Sequence, residues 1–599
     1  MEGKNLMKRE EVPEKYKWHL EEIYADDNLW EKDYAKILEI LPEVEQFRNK
    51  LGESPQTLLR CLQFQDELGK LSDKVFVYAH MRKDENNANP KYQGMKDRAQ
   101  GLMVRLGEAV SFIQPEILAI DNKMLSDYLN QEPGLGLYKF LLEEIARMKE
   151  HTLSAREEEI IAMSGELGEA PKSIFSMLNN ADIKFPEIID EDGDKVPITH
   201  GSYINFMESD DRRVRKDAFK GLYHTYGKQR NTLAALLNAS VKKDVFYARV
   251  HKYPSALEAS LYADNVPISV YNNLIETVRS HLDIFYRYVA LRKKLLAVPE
   301  LHMYDIYAPL VKEVKTRVPY EEAVRMVEKG LAPLGETYLS DLRKGLNSHW
   351  VDVMENEGKT PGAYSWGAYG THPYVLLNYQ NNLDNVFTLA HEMGHSLHSY
   401  YSWQTQPYVY SYYRIFVAEV ASTVNETLLT RYLLENAPDE KQKMYLINHY
   451  LEEFRGTVFR QTMFAEFEKI IHEKVEKGEP LTTDVLCEIY YGLNKDYYGP
   501  DMVVDEEISL EWARIPHFYN AFYVYKYATG FSAASALAQS ILEEGQPAVD
   551  RYMEFLKSGG SDYPINLLKK AGVDMNEPKP VIQALKVFEE MLKEMEKIL

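Results

Sequence analysis

One five-residue stretch, His391-Glu392-Met393-Gly394-His395, combines two imidazoles and a carboxylate within a single turn of helix. Successive residues of an α-helix are rotated by about 100°, so the two histidines lie about 40° apart on one face and one turn apart. Two imidazoles so placed can bind the same zinc ion, and Glu392 beside them can hold and deprotonate a water molecule. The stretch therefore favours metal-assisted hydrolysis.

A catalytic zinc site needs a third protein ligand besides an open position for water. We predict Glu419, because it lies in an apolar segment where a carboxylate is costly unless it is paired or bound to metal. His398 is the alternative, but seven residues from His391 correspond to a rise of about 10.5 Å, too far for both to converge with His395 on one ion. Glu426, on the face of Glu419, and His398 are both predicted to orient a zinc-bound histidine.

Segment 515–531 is rich in tyrosine and contains His517. Amide hydrolysis passes through a tetrahedral oxyanion, which needs a hydrogen-bond donor besides the metal. A continuous helix over this segment would place Tyr519, Tyr523 and Tyr527 in one column, because they are spaced by four residues. We predict that His517, Tyr523 and Tyr527 assist catalysis and that Tyr519 contacts the substrate. The alternative is an aromatic helix that only packs against its neighbour.

Mostly helical elements must hold these side chains. Apolar residues recur at three- and four-residue spacing along most of the chain. The histidine pair lies on a helix predicted over 382–402, for which Asn382 is a suitable N-cap. Glu419 lies on a second helix predicted over 414–435. Gly394 is a poor residue for a helix interior, and a close approach of the second helix would explain it.

Strand patterns are few. Segment 185–206 predicts a small hairpin with Asp192-Gly193 as its turn. The character of the chain changes near residue 200. We therefore predict an N-terminal helical lobe over 1–200 and a catalytic zinc peptidase region over 201–599.

The second strand pattern precedes the histidine helix. The Gly- and Tyr-rich segment 362–380 ends in a β-prone run from Tyr374 to Tyr379. An edge strand there would pair with an extended peptide and lay its carbonyl over the metal. The substrate contacts predicted from this run are Tyr374, Val375, Leu376 and Asn378.

The composition excludes several partners. The 599 residues include 70 Lys and Arg against 92 Asp and Glu, a net charge of −22, which argues against nucleic acid and anionic membranes. The two cysteines, Cys61 and Cys487, are too few for a disulfide framework and suit a reducing compartment. The amino terminus has no apolar signal region, and no run of about 18 apolar residues is present. We expect a cytoplasmic protein.

With these motifs in view, the chain resembles the oligoendopeptidase F type of the M3 zinc metallopeptidases, relatives of thimet oligopeptidase. The resemblance runs nearly end to end. It is carried by VPEKYKWHLEEIY, YPSALEASLYADNVP, GAYSWGAYGTHPYVLLNY, LAHEMGHSLHSYYS, FVAEVASTVNE, IPHFYNAFYVYKYATGFSAA and SGGSDYPINLLKKAGVDM. It implies a mainly α, two-lobed, zincin-type body that encloses a deep channel, with a small β-sheet beside the active-site helix. It also implies one zinc ion per chain and cleavage of oligopeptides of limited length.

For the metal site, the resemblance implies His391 and His395 as zinc ligands, Glu392 as general base and Glu419 as third ligand. Some related sequences are described with the histidine at the position of His398 as a ligand.

For the oxyanion, the thimet-type relatives use a histidine and following tyrosines. His517 matches that histidine, whereas Phe522 stands where those relatives have their first tyrosine. The acting residue is one of Tyr519, Tyr523, Tyr525 and Tyr527, of which we favour Tyr523 and Tyr527.

The sequence thus predicts a zinc-dependent endopeptidase that hydrolyses internal bonds of short oligopeptides, with Glu392 as general base. One alternative is a carboxy-terminal exopeptidase of the same zinc class, which would need a cationic anchor for the terminal carboxylate. The other is a non-catalytic peptide-binding protein. We expect oligopeptides as partners, no nucleic acid or membrane, and a monomer or weak oligomer.

Overall fold

Helices make up most of the protein, as the spacing of apolar residues predicts. The computed structural model describes residues 6–311 and 317–598. The α-helices, in chain order, are α1 (Asp27–Ile40), α2 (Pro55–Glu85), α3 (Pro90–Val110), α4 (Ile113–Ala119), α5 (Asn122–Gln131), α6 (Lys139–Arg147), α7 (Ala155–Met177), α8 (Tyr203–Met207), α9 (Arg212–Val250), α10 (Ala256–Tyr262), α11 (Ile268–Ser280), α12 (Leu282–Leu295), α13 (Tyr320–Gly330), α14 (Gly335–Asn347), α15 (Leu383–Thr405), α16 (Ile415–Ala418), α17 (Val420–Glu435), α18 (Glu440–Phe454), α19 (Arg460–Glu476), α20 (Thr483–Tyr498), α21 (Tyr525–Glu544), α22 (Gln546–Lys557), α23 (Pro564–Lys570) and α24 (Lys579–Ile598). None of these helices combines the length and apolar character that a membrane crossing requires.

The strands in the described part of the chain are short. They are β1 (Glu187–Ile189), β2 (Lys195–Pro197), β3 (Leu301–His302), β4 (Val351–Asp352), β5 (Tyr364–Trp366), β6 (Tyr374–Leu376) and β7 (Met502–Val503). β1 and β2 form an antiparallel pair, and β3 and β7 form a parallel pair. The third sheet has the order β4-β6-β5, in which β6 runs parallel to β4 and antiparallel to β5.

The predicted hairpin is confirmed by the pairing of β1 with β2. In its turn the Asp190 carboxylate accepts hydrogen bonds from the backbone N–H groups of Asp192 at 3.0 Å and Asp194 at 2.8 Å. Gly193 has a φ of +90°, a left-handed conformation that glycine adopts without a steric penalty. The Asp-Gly pair therefore forms the turn that its residue types favour.

The chain divides into two compact units that are each discontinuous in sequence. The first unit comprises 6–152, 317–433 and 537–572, and the second comprises 153–311, 434–536 and 573–598. This division differs from the boundary predicted near residue 200.

Long-range pairs explain the difference. In the first unit, Arg9 donates to Asp352 at 2.7 Å, and the backbone N–H of His19 donates to the carbonyl of His349 at 3.0 Å. A change of composition along the chain reflects only local sequence and does not reveal hydrogen bonds between residues far apart in the chain.

Helix α15 carries the histidine pair in the first unit. Asn382 caps it as predicted, because its side chain accepts a hydrogen bond from the backbone N–H of Asn385 at 2.9 Å. The helix packs against α13, α22 and the strand β5. Leu389, Met393 and Leu397 are completely buried and anchor its inner face.

Candidate active site

Three metal-binding atoms meet in the first unit. His391 Nε2 lies 3.2 Å from His395 Nε2 and 3.4 Å from Glu419 Oε2, and His395 Nε2 lies 3.3 Å from the same oxygen. Within residues 6–311 and 317–598, this is the one group of three or more His, Cys, Asp or Glu side chains whose ligand atoms lie close enough together to hold a metal ion. The structure therefore brings together the three residues that the sequence analysis proposes as ligands.

Glu419 lies at a break between two helices, so the continuous helix predicted over 414–435 is wrong. α16 ends at Ala418 and α17 begins at Val420, while Glu419 itself has φ −86° and ψ −2°. Its side chain remains 47% exposed, so it is not the buried carboxylate that the apolar segment suggested. Ser422, which the sequence analysis did not assign, donates to Glu419 O at 2.9 Å and lies 3.3 Å from Oε2. This hydroxyl helps to hold the carboxylate at the start of α17.

Gly394 lets α17 approach α15, as predicted. A Cβ atom at Gly394 would lie 2.5 Å from the Cα of Ser422 and 2.8 Å from the carbonyl oxygen of Ala421. Both neighbours are backbone atoms, so no side-chain rotation could relieve the clash. The distance between the helices, and hence between the ligands on them, depends on this glycine.

Asn425 joins the same two helices and was missed by the sequence analysis. Its Nδ2 donates to the carbonyl of Ala390 at 3.0 Å, and its Oδ1 accepts from the Tyr338 hydroxyl at 2.9 Å. Asn425 is fully buried, and an amide in an apolar segment was the available signal. The bond to Ala390 fixes the backbone directly before His391.

Glu426 contacts the other nitrogen of a ligand histidine. Its Oε1 lies 3.1 Å from His391 Nδ1, which leaves Nε2 facing Glu419 and His395. Such a carboxylate selects the tautomer and the ring orientation of a metal-binding histidine. Burial opposes a charge on His391, but hydrogen bonds to Glu419 and Glu426 outweigh it and raise its pKa to about 11. The structure thus places Glu426 in the predicted orienting position.

Glu392 lies between the two histidines in sequence and is 7% exposed. Burial raises the pKa of its carboxyl, although the imidazoles of His391 and His395 act in the opposite direction. A carboxylate whose pKa is raised is a stronger base than an ordinary carboxylate.

His398 lies outside the ligand group. Its ring is 1% exposed and stacks on the Tyr413 ring with centroids 3.7 Å apart. Burial, together with the neighbouring His395, lowers its pKa to about 3, and its Nδ1 atom has no hydrogen-bond partner in the part of the chain that the structure describes. His398 is therefore a neutral packing residue. The third ligand atom that meets the two histidines belongs to Glu419.

The tyrosine-rich segment of the second unit is not the continuous helix predicted over 515–531. A 3-10 turn spans Pro516–Tyr519, and α21 begins only at Tyr525. Phe522 between them has a φ of +57°, which a right-handed helix does not accommodate. Tyr519 is 4% exposed and stacks on Phe175 at 4.3 Å, so the predicted column of phenols is broken and Tyr519 is a packing residue.

His517, Tyr523 and Tyr527 nevertheless form one cluster. The Tyr527 hydroxyl lies 3.5 Å from His517 Nε2, and the rings of His517 and Tyr527 lie 6.1 and 5.5 Å from that of Tyr523. Burial and the charge of Arg460 lower the pKa of His517, which favours a neutral imidazole. Tyr525 is 1% exposed, which leaves Tyr523 and Tyr527 as the accessible phenols beside His517.

Comparisons with known proteins agree with this geometry. The model of peptidase family M3 matches residues 205–587, and that of oligopeptidase F matches residues 116–185. The chain is 52% identical over 594 residues to oligopeptidase PepF of Bacillus subtilis, covering 99% of this chain and 89% of the relative. It is 42% identical to the group B oligopeptidase PepB of Streptococcus agalactiae, covering 98% of each. The crystal structure of oligoendopeptidase-F from Enterococcus faecium superimposes with a TM-score of 0.74 at 40% identity, covering 96% of this chain and 99% of that one.

The chain belongs to peptidase family M3. It is a metallopeptidase, and its mainly helical fold is that of the solved oligoendopeptidase F. All residues of the ligand group and of the imidazole–phenol cluster fall inside the range that the family model matches.

The prediction that the strand from Tyr374 is an edge strand that binds the substrate of this M3 peptidase is wrong. β6 lies at the centre of its sheet, and Tyr374, Val375 and Leu376 are completely buried. Burial on both faces is typical of a central strand. Asn378 supports a loop instead, because its Nδ2 donates to the carbonyls of Thr360 at 3.0 Å and of Gly362 at 2.8 Å.

The edge beside the histidine helix is β5. It pairs with β6 on one side, and Ser365 on it lies 2.7 Å from Ser396 of α15 between hydroxyl oxygens. An extended peptide adds to an edge strand and not to a central one. The segment Tyr364–Trp366 is a terminal strand of this sheet, whereas β6 is its central strand.

The donor set of this M3 site fits zinc. Two imidazole nitrogens and one carboxylate oxygen are ligands that zinc prefers. Around a tetrahedral ion with bonds of about 2.0–2.1 Å, two ligand atoms stand about 3.3 Å apart. The observed separations of 3.2–3.4 Å match that value.

Proposed function

We propose that this M3 metallopeptidase is a zinc-dependent endopeptidase that hydrolyses internal bonds of short oligopeptides. The observation that carries the proposal is the convergence of His391 Nε2, His395 Nε2 and Glu419 Oε2 within 3.2–3.4 Å, next to the buried Glu392. The printed names of the relatives, oligopeptidase and oligoendopeptidase, support short peptides as the substrate class.

The residues at the metal site have separate roles in the proposed reaction. Zinc held by His391, His395 and Glu419 would supply Lewis acidity, lowering the pKa of a water molecule and polarising the substrate carbonyl. Glu392 accepts the proton of the attacking water and then delivers it to the leaving amine. Glu426 holds His391 by its Nδ1 atom so that Nε2 stays directed at the metal position.

The substrate and its oxyanion need further hydrogen bonds. The edge of β5 pairs with the extended backbone of the peptide. His517, Tyr523 and Tyr527 donate to the oxyanion as the tetrahedral species forms, which is where a donor lowers the barrier. A donor of this kind contributes about two to three orders of magnitude in kcat.

The test is incubation of the purified protein with a nonapeptide blocked at both ends and with a folded protein of matched sequence, with and without a chelator. We expect internal cleavage of the peptide alone, abolished by the chelator and restored by added zinc. Release of C-terminal units from an unblocked peptide, with no cut in the blocked one, would indicate the exopeptidase. Cleavage of the folded protein would contradict restriction to short peptides, and bound zinc without any cleavage would indicate a peptide-binding protein.

A further inference from the structure

Glu468 on α19 is a buried carboxyl that accepts a hydrogen bond from the backbone. Its side chain is fully buried, and Oε1 accepts the backbone N–H of Phe522 at 3.0 Å, whereas Oε2 has no partner among the described residues. No lysine or arginine of the described residues forms an ion pair with it. Burial, with a contribution from Asp244, raises the pKa of Glu468 well above its usual value. Burying a carboxyl with so few hydrogen bonds costs folding free energy. Among the described residues, the one hydrogen bond that this carboxyl accepts comes from the Phe522 amide.

Phe522 is held in a conformation that an aromatic residue rarely adopts. Its φ is +57°, in the left-handed region, where side chains with a bulky Cβ substituent are strained. Its ring is 1% exposed and packs 4.4 Å from His472 and 5.8 Å from Tyr271, measured between centroids. Such strain persists only where surrounding interactions hold the residue in place. At Phe522 these interactions are the packing of its ring and the hydrogen bond to Glu468.

The strained residue precedes a residue of the proposed oxyanion site. Phe522 links the 3-10 turn that carries His517 to Tyr523 and to α21, which carries Tyr527. A left-handed residue changes the direction of the chain, so it decides which way the following side chain projects. In this conformation the Tyr523 ring lies 6.1 Å from His517 and 5.5 Å from Tyr527.

We propose that Glu468 is a positioning residue for the His517–Tyr523–Tyr527 cluster, because its carboxyl holds the Phe522 amide in the conformation from which Tyr523 faces His517. This inference rests on the oxyanion role given to the cluster in the proposed function. Glu468 acts through the backbone and does not touch the substrate.

The test compares Glu468→Met with Glu468→Gln in the full chain loaded with zinc. Glutamine keeps a carbonyl acceptor for the Phe522 amide, whereas methionine has similar length but no comparable acceptor. We expect Glu468→Met to lower kcat by about ten- to hundredfold, as a displaced catalytic group does, with KM and zinc content unchanged. Glu468→Gln should stay within about threefold of the parent. A glutamine variant as slow as the methionine variant would overturn the inference.

A combined variant separates positioning from a general loss of stability. In a Tyr523→Phe/Tyr527→Phe background, Glu468→Met should lower kcat no further, because the phenol hydroxyls whose position depends on Phe522 are already gone. A full additional loss would overturn the role of Glu468 and leave the oxyanion assignment intact. Unchanged kcat in Tyr523→Phe/Tyr527→Phe itself would instead overturn the oxyanion assignment, and the inference with it.

A second pair of variants addresses the backbone directly, for the case in which Glu468→Met does not fold. Phe522→Gly and Phe522→Ala both remove the ring, but only glycine adopts a φ of +57° without strain. We expect the glycine variant to keep at least about fivefold more of the parental kcat than the alanine variant. Equal kcat values would show that the left-handed conformation is irrelevant to catalysis and would overturn the inference.

Discussion

The metal site of the first unit and the imidazole–phenol cluster of the second unit are built on different kinds of backbone. His391 and His395 lie one turn apart on a regular helix, and a glycine sets the distance to the helix that begins beside Glu419. Tyr523 follows a strained residue in a turn that a buried carboxyl holds by one hydrogen bond. Residues on one helix take their relative positions from the helical repeat, whereas residues around a turn depend on a partner elsewhere in the chain.

The largest effect is expected from the base of the metal site. Glu392→Gln removes the proton acceptor without removing a ligand, so kcat should fall by about three or more orders of magnitude while zinc stays bound. Steady-state kinetics and metal analysis of the same preparation would measure both. Near-normal turnover in this variant would contradict the proposed mechanism, because the metal site would then not supply the general base.

The helix contact in the first unit should be nearly as sensitive. In Gly394→Ala the new Cβ would meet the backbone of Ser422 at 2.5 Å, so α17 must move and carry Glu419 away from the histidines. A displacement of about 1 Å costs about a hundredfold in catalysis, and zinc affinity should fall with it. Titration with zinc and an activity assay would test this.

A matched control for that substitution exists in the same unit. Gly101 lies within α3, and a Cβ there would meet no atom within 4 Å. Gly101→Ala should leave zinc binding unchanged and raise stability by up to about 1 kcal/mol, because alanine favours a helix interior. Equal damage from both substitutions would show that the ligand spacing does not depend on the contact at Gly394.

A smaller effect is expected from the carboxylate behind the ligand. Glu426→Gln leaves the three ligands in place but weakens the bond at 3.1 Å that orients His391. Loss of such a partner typically lowers metal affinity by about 10- to 100-fold. Competition with a chromophoric chelator would measure it, and an unchanged affinity would show that the helix alone orients the ring.

The smallest expected effect is a pH dependence of stability in the second unit. The pKa of Glu468 is raised by burial in the folded protein, so the folded state keeps a proton that the unfolded chain releases above its ordinary value of 4.5. The stability that this proton contributes is complete below that pH and is lost as the pH rises towards the folded-state pKa. Glu468→Gln does not titrate, so its stability relative to the parent should increase from pH 4.5 upward. Urea unfolding at several pH values would test this, and a constant difference would mean that Glu468 is ionised in the folded state.

Much of the helical architecture and of the metal site could be predicted from the sequence. The spacing of His391 and His395, the cap at Asn382 and the close approach at Gly394 all follow from the geometry of a regular helix, and the structure has them. Glu419 was selected for a reason that the structure does not bear out, since its side chain is half-exposed at a helix break.

Other predictions failed where a local pattern does not report its tertiary surroundings. The run from Tyr374 is strand-forming whether it lies at the edge or at the centre of a sheet, and only the pairing with β4 and β5 decides between them. The four-residue spacing of Tyr519, Tyr523 and Tyr527 suits a helix. The left-handed Phe522 interrupts that helix because distant residues stabilise the interruption.

The family, the helical body and the side chains that can bind a metal follow from the sequence alone, because these depend on residue types and on intervals shorter than a helical turn or two. Three outcomes follow only from the tertiary structure: Glu419 completes the ligand group, β6 lies at the centre of its sheet with β5 at one end, and Tyr519 lies outside the cluster that Tyr523 and Tyr527 form with His517. These outcomes depend on contacts between residues far apart in the chain, such as Glu468 with Phe522, whose energies no local spacing encodes.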